Sequence, residues 1–314
     1  MLCFVPALCE IGGYILAGMH FLKLTFAEAA LLGCVMAAVS PAVVVSRMLK
    51  LKELSYGTDK GIPDMIMAGA SSDDVFVIVL FTSFLTVASG GAFSANIAWQ
   101  VPVSIITGVL IGISVGLLFV LSVKKIHIRD SVKVIIILSI GFLFVAAENA
   151  FGKTVPFSGL LAVIAFGGTI FAKHRVCADR LSGKFSKLWI FAEILLFVLV
   201  GAEVNLTVAS SDIGKIIGII LFALIFRAAG VTLCLIGSGL NAKERLFCVI
   251  AYLPKATVQA AIGAVPLAAG LACGQTILTF AVLAILITAP LGALLTDLSY
   301  KKLLNRENTE EVEA

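Results

Sequence analysis

The chain has 314 residues, 60% of them hydrophobic and only 13% charged, with a formal net charge of +4 and a mean hydropathy of +1.11. Soluble domains carry about 25% charged residues, so this composition excludes an ordinary water-soluble fold and indicates a polytopic membrane protein. The modest basic excess fits membrane topology better than nucleic-acid binding.

Apolar stretches of about 20 residues, the length that spans a ~30 Å hydrocarbon core, recur from end to end between short polar breaks. The first, residues 2 to 22, carries Glu10. The second, 25 to 46, is interrupted by Pro41 directly after Ser40. The third, 62 to 88, holds the adjacent Asp73 and Asp74 near its middle. The fourth, 98 to 123, has Gly108, Gly112 and Gly116 on one ridge at i, i+4 spacing, which reads as helix packing, with a dimer contact as the weaker option. The fifth and sixth run from 132 to 151 and from 156 to 172, with Glu148 near the outer end of the fifth. The seventh, 187 to 206, contains Glu193 and Glu203, read as packing or snorkelling side chains. The eighth, 213 to 236, carries Arg227, and the ninth, 246 to 266, is interrupted by Pro254 directly before Lys255. The tenth covers 272 to 298. An all-α transmembrane domain over residues 1 to 304 is therefore expected, with 305 to 314 as a short disordered cytoplasmic tail.

Orientation follows from the positive-inside rule. With the first span running outward, inner loops collect Arg47, Lys50, Lys52 and Lys60, then Lys124, Lys125, Arg129 and Lys133. Next come Lys173, Arg175, Arg180, Lys184 and Lys187, then Lys243 and Arg245, and finally Lys301, Lys302 and Arg306. The outer side receives Lys23, Lys153 and Lys215. One missed or invented helix would invert the sign of every later loop, so the asymmetry supports the ten-span count and a cytoplasmic C-terminus. The seven cysteines lack any CxxC spacing and read as small packing residues. His20, His127 and His174 fall in loops. Residues 1 to 13 lack the basic stretch of a signal peptide and carry Glu10 in the apolar run, so no cleavage is expected.

Five ionisable groups share one depth. Asp73 lies thirteen residues past Lys60, and Lys255 lies ten past Arg245. At 1.5 Å per residue both reach about 15 to 20 Å from the cytoplasmic surface. Arg227, twelve past Lys215, and Glu10, thirteen before Lys23, arrive at the same level from outside. An ionised group at the bilayer centre costs at least ~2.5 to 3.5 kcal/mol, so such residues mark ion or proton paths. Three acids against two bases leave a net charge of −1, which a cation or a proton neutralises.

The two prolines add a second signal. Proline in a helix interior removes one amide donor and frees a carbonyl, and at membrane depth such backbone survives only against protein or a water-filled cavity. The interrupted second and ninth spans run in opposite directions, as an inverted repeat demands, and midplane charges beside them indicate alternating access.

The segments AAVSPAVVVSRML (37 to 49), KGIPDMIMAGASSDDVFVIVLF (60 to 81) and KERLFCVIAYLPKATVQAAIG (243 to 263) resemble the sodium/proton antiporters of the monovalent cation:proton antiporter superfamily, in particular the NHA-type branch. The resemblance covers essentially the whole chain. It implies a fold of inverted repeats with two crossing discontinuous helices. It also implies that Asp73 and Asp74 bind the cation and the proton, with Asp74 the principal site and Asp73 the partner of Lys255. The resemblance further implies that Arg227 pairs with Glu10. By the same resemblance, Ser40 and Pro41 match the unwound part of the first crossing helix, and Pro254 and Lys255 match the proline and lysine of the second. The family has about two to four further helices ahead of the span holding Glu10, which contribute to the dimer interface and the first repeat; the chain as given starts without them, which reads as a fragment or a truncated gene product, with a functional ten-span form as the lesser alternative.

The expected activity is exchange of Na+ or Li+ for H+, with Ser40, Ser71, Ser72, Thr257 and freed carbonyls assisting the aspartates. Hard oxygen ligands suit a small alkali cation. The expected partners are these ions, the bilayer and, in the full-length form, a second copy, in a bacterial inner membrane. A K+/H+ antiporter of the same superfamily is the nearest alternative. A cation channel also places acids in a pore but has no need of two oppositely directed broken helices. An organic-anion symporter is disfavoured by an Asp–Asp pair facing the site. An intramembrane aspartyl protease needs carboxylates that meet across a bond, whereas adjacent residues on one helix diverge by about 100°. No phosphate-binding loop, metal-ligand cluster or nucleophile triad appears in the sequence, so neither enzyme nor cofactor is expected.

Overall fold

A computed structural model describes residues 1–90, 95–126, 128–151, 157–202 and 206–307. His127, Lys153, Glu203 and residues 308–314 lie outside the described residues, as do the side chains of Ser71, Ser72 and Glu193. The described residues are helical almost throughout, and their helices form two compact units, Met1–Gly91 with Leu196–Ala314, and Ala92–Leu195.

The first unit starts with α1 (Val5–Phe21), α2 (Phe26–Ala37), α3 (Pro41–Glu53) and α4 (Ile62–Ala88). It resumes with α9 (Leu206–Cys234), α10 (Ala242–Ala251), α11 (Thr257–Ile262), α12 (Val265–Ala268) and α13 (Gly274–Leu303). Helices α2 and α10 each start at a capping box. Thr25 and Glu28 exchange side-chain and backbone bonds in the first, and Asn241 and Glu244 do so in the second. Glu244 also receives Lys60 Nζ at 2.9 Å, which neutralises an otherwise buried carboxylate. Pro41 occupies the first turn of α3, where its missing amide costs nothing, so the break falls at residues 38–40 rather than at the proline itself. The second break, 252–256, includes Pro254 and Lys255.

One hydrophobic core joins Ile11 and Tyr14 of α1, Leu31 and Val35 of α2, Ile219 and Ala223 of α9, and Ile277 and Phe280 of α13. A second gathers Met48 of α3, Ile66 of α4, Phe247 of α10 and Tyr252 of the second break. Both breaks lie between these two cores, so unwound backbone is shielded from lipid, as membrane depth requires.

The second unit contains α5 (Ala95–Lys125), α6 (Asp130–Phe151), α7 (Gly159–Lys173) and most of α8 (Arg175–Ala202). Gly108, Gly112 and Gly116 are buried and face α7: a Cβ on Gly108 would come within 2.6 Å of Ser158 O, and one on Gly116 within 2.7 Å of Thr169 Cβ. The ridge therefore lets two backbones approach within one unit. Glu148 accepts from the Gly159 amide at 3.0 Å, capping an orphan donor of the first turn of α7. Large apolar side chains such as Phe142, Phe191 and Leu118 are more than 60% exposed, as on a lipid-facing surface.

The ten expected spans correspond to α1, α2 with α3, α4 to α9 singly, α10 with α11 and α12, and α13. Among the described residues five helical stretches are long and apolar enough to cross a membrane on length and composition alone. The seventh span is expected from residue 187, but α8 starts at Arg175. Its polar first turns are held because Cys177 and Leu181 bury against Val134. The tail expected from 305 onward starts with a paired segment. Gly57 N donates to Asn305 O and Glu307 N to Ser55 O, both at 2.8 Å, while Tyr56 and Arg306 form an antiparallel bridge.

Candidate functional site

Glu10 on α1, Asp73 on α4, Arg227 on α9 and Lys255 in the second break are all buried, and they are joined in one chain of contacts. Lys255 Nζ donates to Glu10 Oε2 at 2.7 Å. The same oxygen accepts from Arg227 Nη1 at 2.5 Å, and Arg227 Nη2 donates to Asp73 Oδ2 at 3.1 Å. Two acids and two bases thus compensate one another, which buried charges require. Asp74, the next residue on α4, is partly buried and takes no part in these ion pairs; its Oδ1 is buried without a hydrogen-bond partner.

The expected Asp73–Lys255 pair is replaced. Lys255 is bound by Glu10, and Asp73 is bound by Arg227 together with the Val39 amide at 3.2 Å. The guanidinium is a wide planar fork that serves two carboxylates at once, while the ammonium of Lys255 takes the carboxylate it shares with that fork.

The two breaks dispose of their backbone groups through side chains and through each other. Ser40 N donates to Pro254 O at 2.9 Å, a direct bond between the interruptions. Arg227 Nε donates to Tyr252 O at 2.7 Å, and Nη1 also bonds Ala37 O, so one residue closes the C-terminal ends of both α2 and α10. Positive charge there also complements the negative ends of the helix dipoles. Lys255 N donates to Thr288 Oγ1 on α13 at 2.9 Å. Gln259 on α11 is buried, and its Nε2 donates to Val35 O at 3.2 Å and to Ala38 O at 2.9 Å.

Gln259, Thr288 and Tyr252 escaped a reading built on charge and proline, because neutral polar residues in apolar helices carry no such flag. The polar spacing from Lys255 to Gln259, one helical turn, was the available signal. Pro254 packs against Gly292, where a Cβ would lie 2.5 Å from its ring. Thr257 opens α11, and Ser40 Oγ is buried without a partner, as are Asp73 Oδ1, Glu10 Oε1 and Gln259 Oε1. Such oxygens at membrane depth are free to receive a cation, a proton or water.

A family described as sodium/hydrogen exchanger, transmembrane, matches residues 1–297. The chain belongs to the sodium/hydrogen exchanger family. Sodium/hydrogen exchanger 9B1 of Macaca fascicularis is 32% identical over 313 residues, which cover 96% of this chain and 60% of that protein. Sodium/hydrogen exchanger 9B2 of Xenopus tropicalis is 35% identical over 299 residues, 90% of this chain and 54% of that protein. The chain thus spans little more than half the length of those relatives. Its fold matches the structure of the sodium proton antiporter MjNhaP1 from Methanocaldococcus jannaschii, with a TM-score of 0.80 at 19% identity over 96% of this chain and 77% of the other. The chain is a multi-pass integral membrane protein with the sodium/proton antiporter fold, helical almost throughout its described residues.

Proposed function

We propose that the chain exchanges Na+ or Li+ for H+ by alternating access, with Asp74 as the carboxylate that both ions occupy in turn. The observation that carries this reading is the pairing of Lys255, Glu10, Arg227 and Asp73. Those four cancel, and Asp74, partly buried beside them, remains without a counter-charge among the described ion pairs. A cation or a proton supplies it. A site that must hold one of the two before the surrounding helices move gives obligatory exchange.

Asp73 Oδ1 and Ser40 Oγ, unpartnered and buried, are the neighbouring candidates to complete a hard oxygen shell with Asp74 Oδ1. The carbonyls of Val35, Ala37 and Ala38 are occupied by Gln259 and Arg227, so they stand outside this ligand set. Thr257, at the start of α11, and Ser71 and Ser72, one turn or less from Asp74 on α4, keep supporting roles. Arg227 and Glu10 hold the two broken helices together. The basic loops support a cytoplasmic C-terminus, and the family resemblance supports a homodimer of the full-length protein.

Proton flux and cation uptake in everted vesicles test the assignment. Wild type is expected to move protons on addition of Na+ or Li+ and far less on addition of K+. Exchange that survives in Asp74→Asn would sink the assignment of Asp74, and a preference for K+ would sink that of the cation.

A further inference from the structure

The Ala38–Val39 peptide lies in the first break, where no helical ladder holds it: Ala38 has φ −67° and ψ 142° and Ser40 has φ −79° and ψ 109°. Both of its polar groups are nevertheless bonded. The carbonyl of Ala38 accepts from Gln259 Nε2 at 2.9 Å, and the amide of Val39 donates to Asp73 Oδ2 at 3.2 Å. The peptide is trans, so its C=O and N–H point in opposite directions, and fixing one group aims the other. Gln259 and Asp73 therefore clamp one peptide plane from opposite sides.

The orientation of the Gln259 amide is set by its surroundings. Its nitrogen faces two carbonyl oxygens, those of Val35 and Ala38; the flipped amide would set Oε1 against both. A neutral amide satisfies these acceptors without adding a charge to a layer that already holds five. In the second break the Lys255 amide donates to Thr288 Oγ1, so a neutral polar side chain bonds the backbone of each break.

We propose that Gln259 is a positioning residue of the ion site: it holds the Ala38–Val39 peptide with the carbonyl turned away from the aspartates and the amide aimed at Asp73. Without it, rotation of that plane withdraws a donor from Asp73 and frees the carboxylate from the geometry in which it flanks Asp74. The proposal rests on the reading of Asp73 and Asp74 as the cation site.

The test is Gln259→Met in the full chain, purified in detergent, with NaCl or LiCl against choline chloride as the probe. Cation-dependent thermal stabilisation should require about tenfold more Na+ than in wild type, while the maximal exchange rate at saturating Na+ in proteoliposomes falls less than twofold. Hydrogen exchange across residues 36 to 41 should accelerate at least tenfold, with α4 and α13 unchanged. Unaltered Na+ dependence together with unaltered protection of 36 to 41 overturns the proposal, as does a loss of protection spread over every helix of the unit. Gln259→Asn, which keeps the amide but not its reach, carries the same measurements if the methionine variant does not accumulate. A wild type indifferent to Na+ and Li+ would instead overturn the assignment of the cation site, and the exchange rates at 36 to 41 would still decide the role of Gln259.

Discussion

Lys255 and Arg227 converge on a single oxygen of Glu10, at 2.7 and 2.5 Å, while Oε1 of the same carboxylate stays unpartnered. Glu10 is the hub of the buried charge layer, and the two bases are not equivalent to it. Glu10→Gln leaves both cations with only Asp73 between them, and removal of one partner from a buried ion pair costs about 3 to 5 kcal/mol. Lys255→Met leaves Glu10 still bound to Arg227 and should cost about 1 to 3 kcal/mol. Thermal unfolding of the two variants in one detergent ranks them, and the reverse order would refute the hub.

Asp73 and Asp74 should separate stability from transport. Asp74→Asn touches none of the ion pairs, so its unfolding free energy is expected within ~1 kcal/mol of wild type while exchange falls below detection. Asp73→Asn loses the charged partner of Arg227 Nη2 and should cost about 1 to 3 kcal/mol. Paired melting curves and vesicle flux assays check both halves of the statement.

Close packing around the second break yields a steric prediction. A Cβ on Gly292 would lie 2.5 Å from the Pro254 ring, and one on Gly69 would strike the Tyr252 hydroxyl. Gly292→Ala and Gly69→Ala should each cost about 1 to 3 kcal/mol, typical of overpacking. Gly167→Ala, with nothing within 4 Å of the added carbon, should be neutral or mildly stabilising. Melting temperatures that fail to separate the first two from the third would contradict this packing.

What could be read in advance was whatever charge and proline announce. Depth counted from the basic loop residues puts Glu10, Asp73, Arg227 and Lys255 in one layer, and the structure joins those four in contact. Pro41 and Pro254 marked the two breaks. The partner of Lys255 was misassigned because pairing at one depth depends on side-chain reach and on which helices are neighbours, and α1 packs closely against both α2 and α9. Gln259 and Thr288 were missed because their work is to satisfy backbone groups whose positions become known only when two distant breaks meet. The helical start of α8 was hidden by its charges, which a helix that carries Cys177 and Leu181 into a small apolar cluster accommodates.

The pairing of residues 55–57 with 305–307 makes a fourth prediction. Truncation after Leu304 removes the acceptor of the Gly57 amide and the Glu307 carboxylate that receives Thr58 Oγ1 at 2.5 Å. Hydrogen exchange at Gly57 should then rise at least tenfold, about the loss of one bond worth ~1.4 kcal/mol, with no change along α1. Unchanged exchange at Gly57 would dissociate the C-terminal segment from that loop.

The Glu10 hub also has a consequence for biosynthesis. Its two counter-ions lie 217 and 245 residues further along the chain. At roughly 5 to 20 residues per second, the ribosome delivers them about ten to fifty seconds after α1. During that interval the carboxyl has neither partner, and a charge without a counter-ion is costly to bury. Its final burial is timed by the arrival of α9.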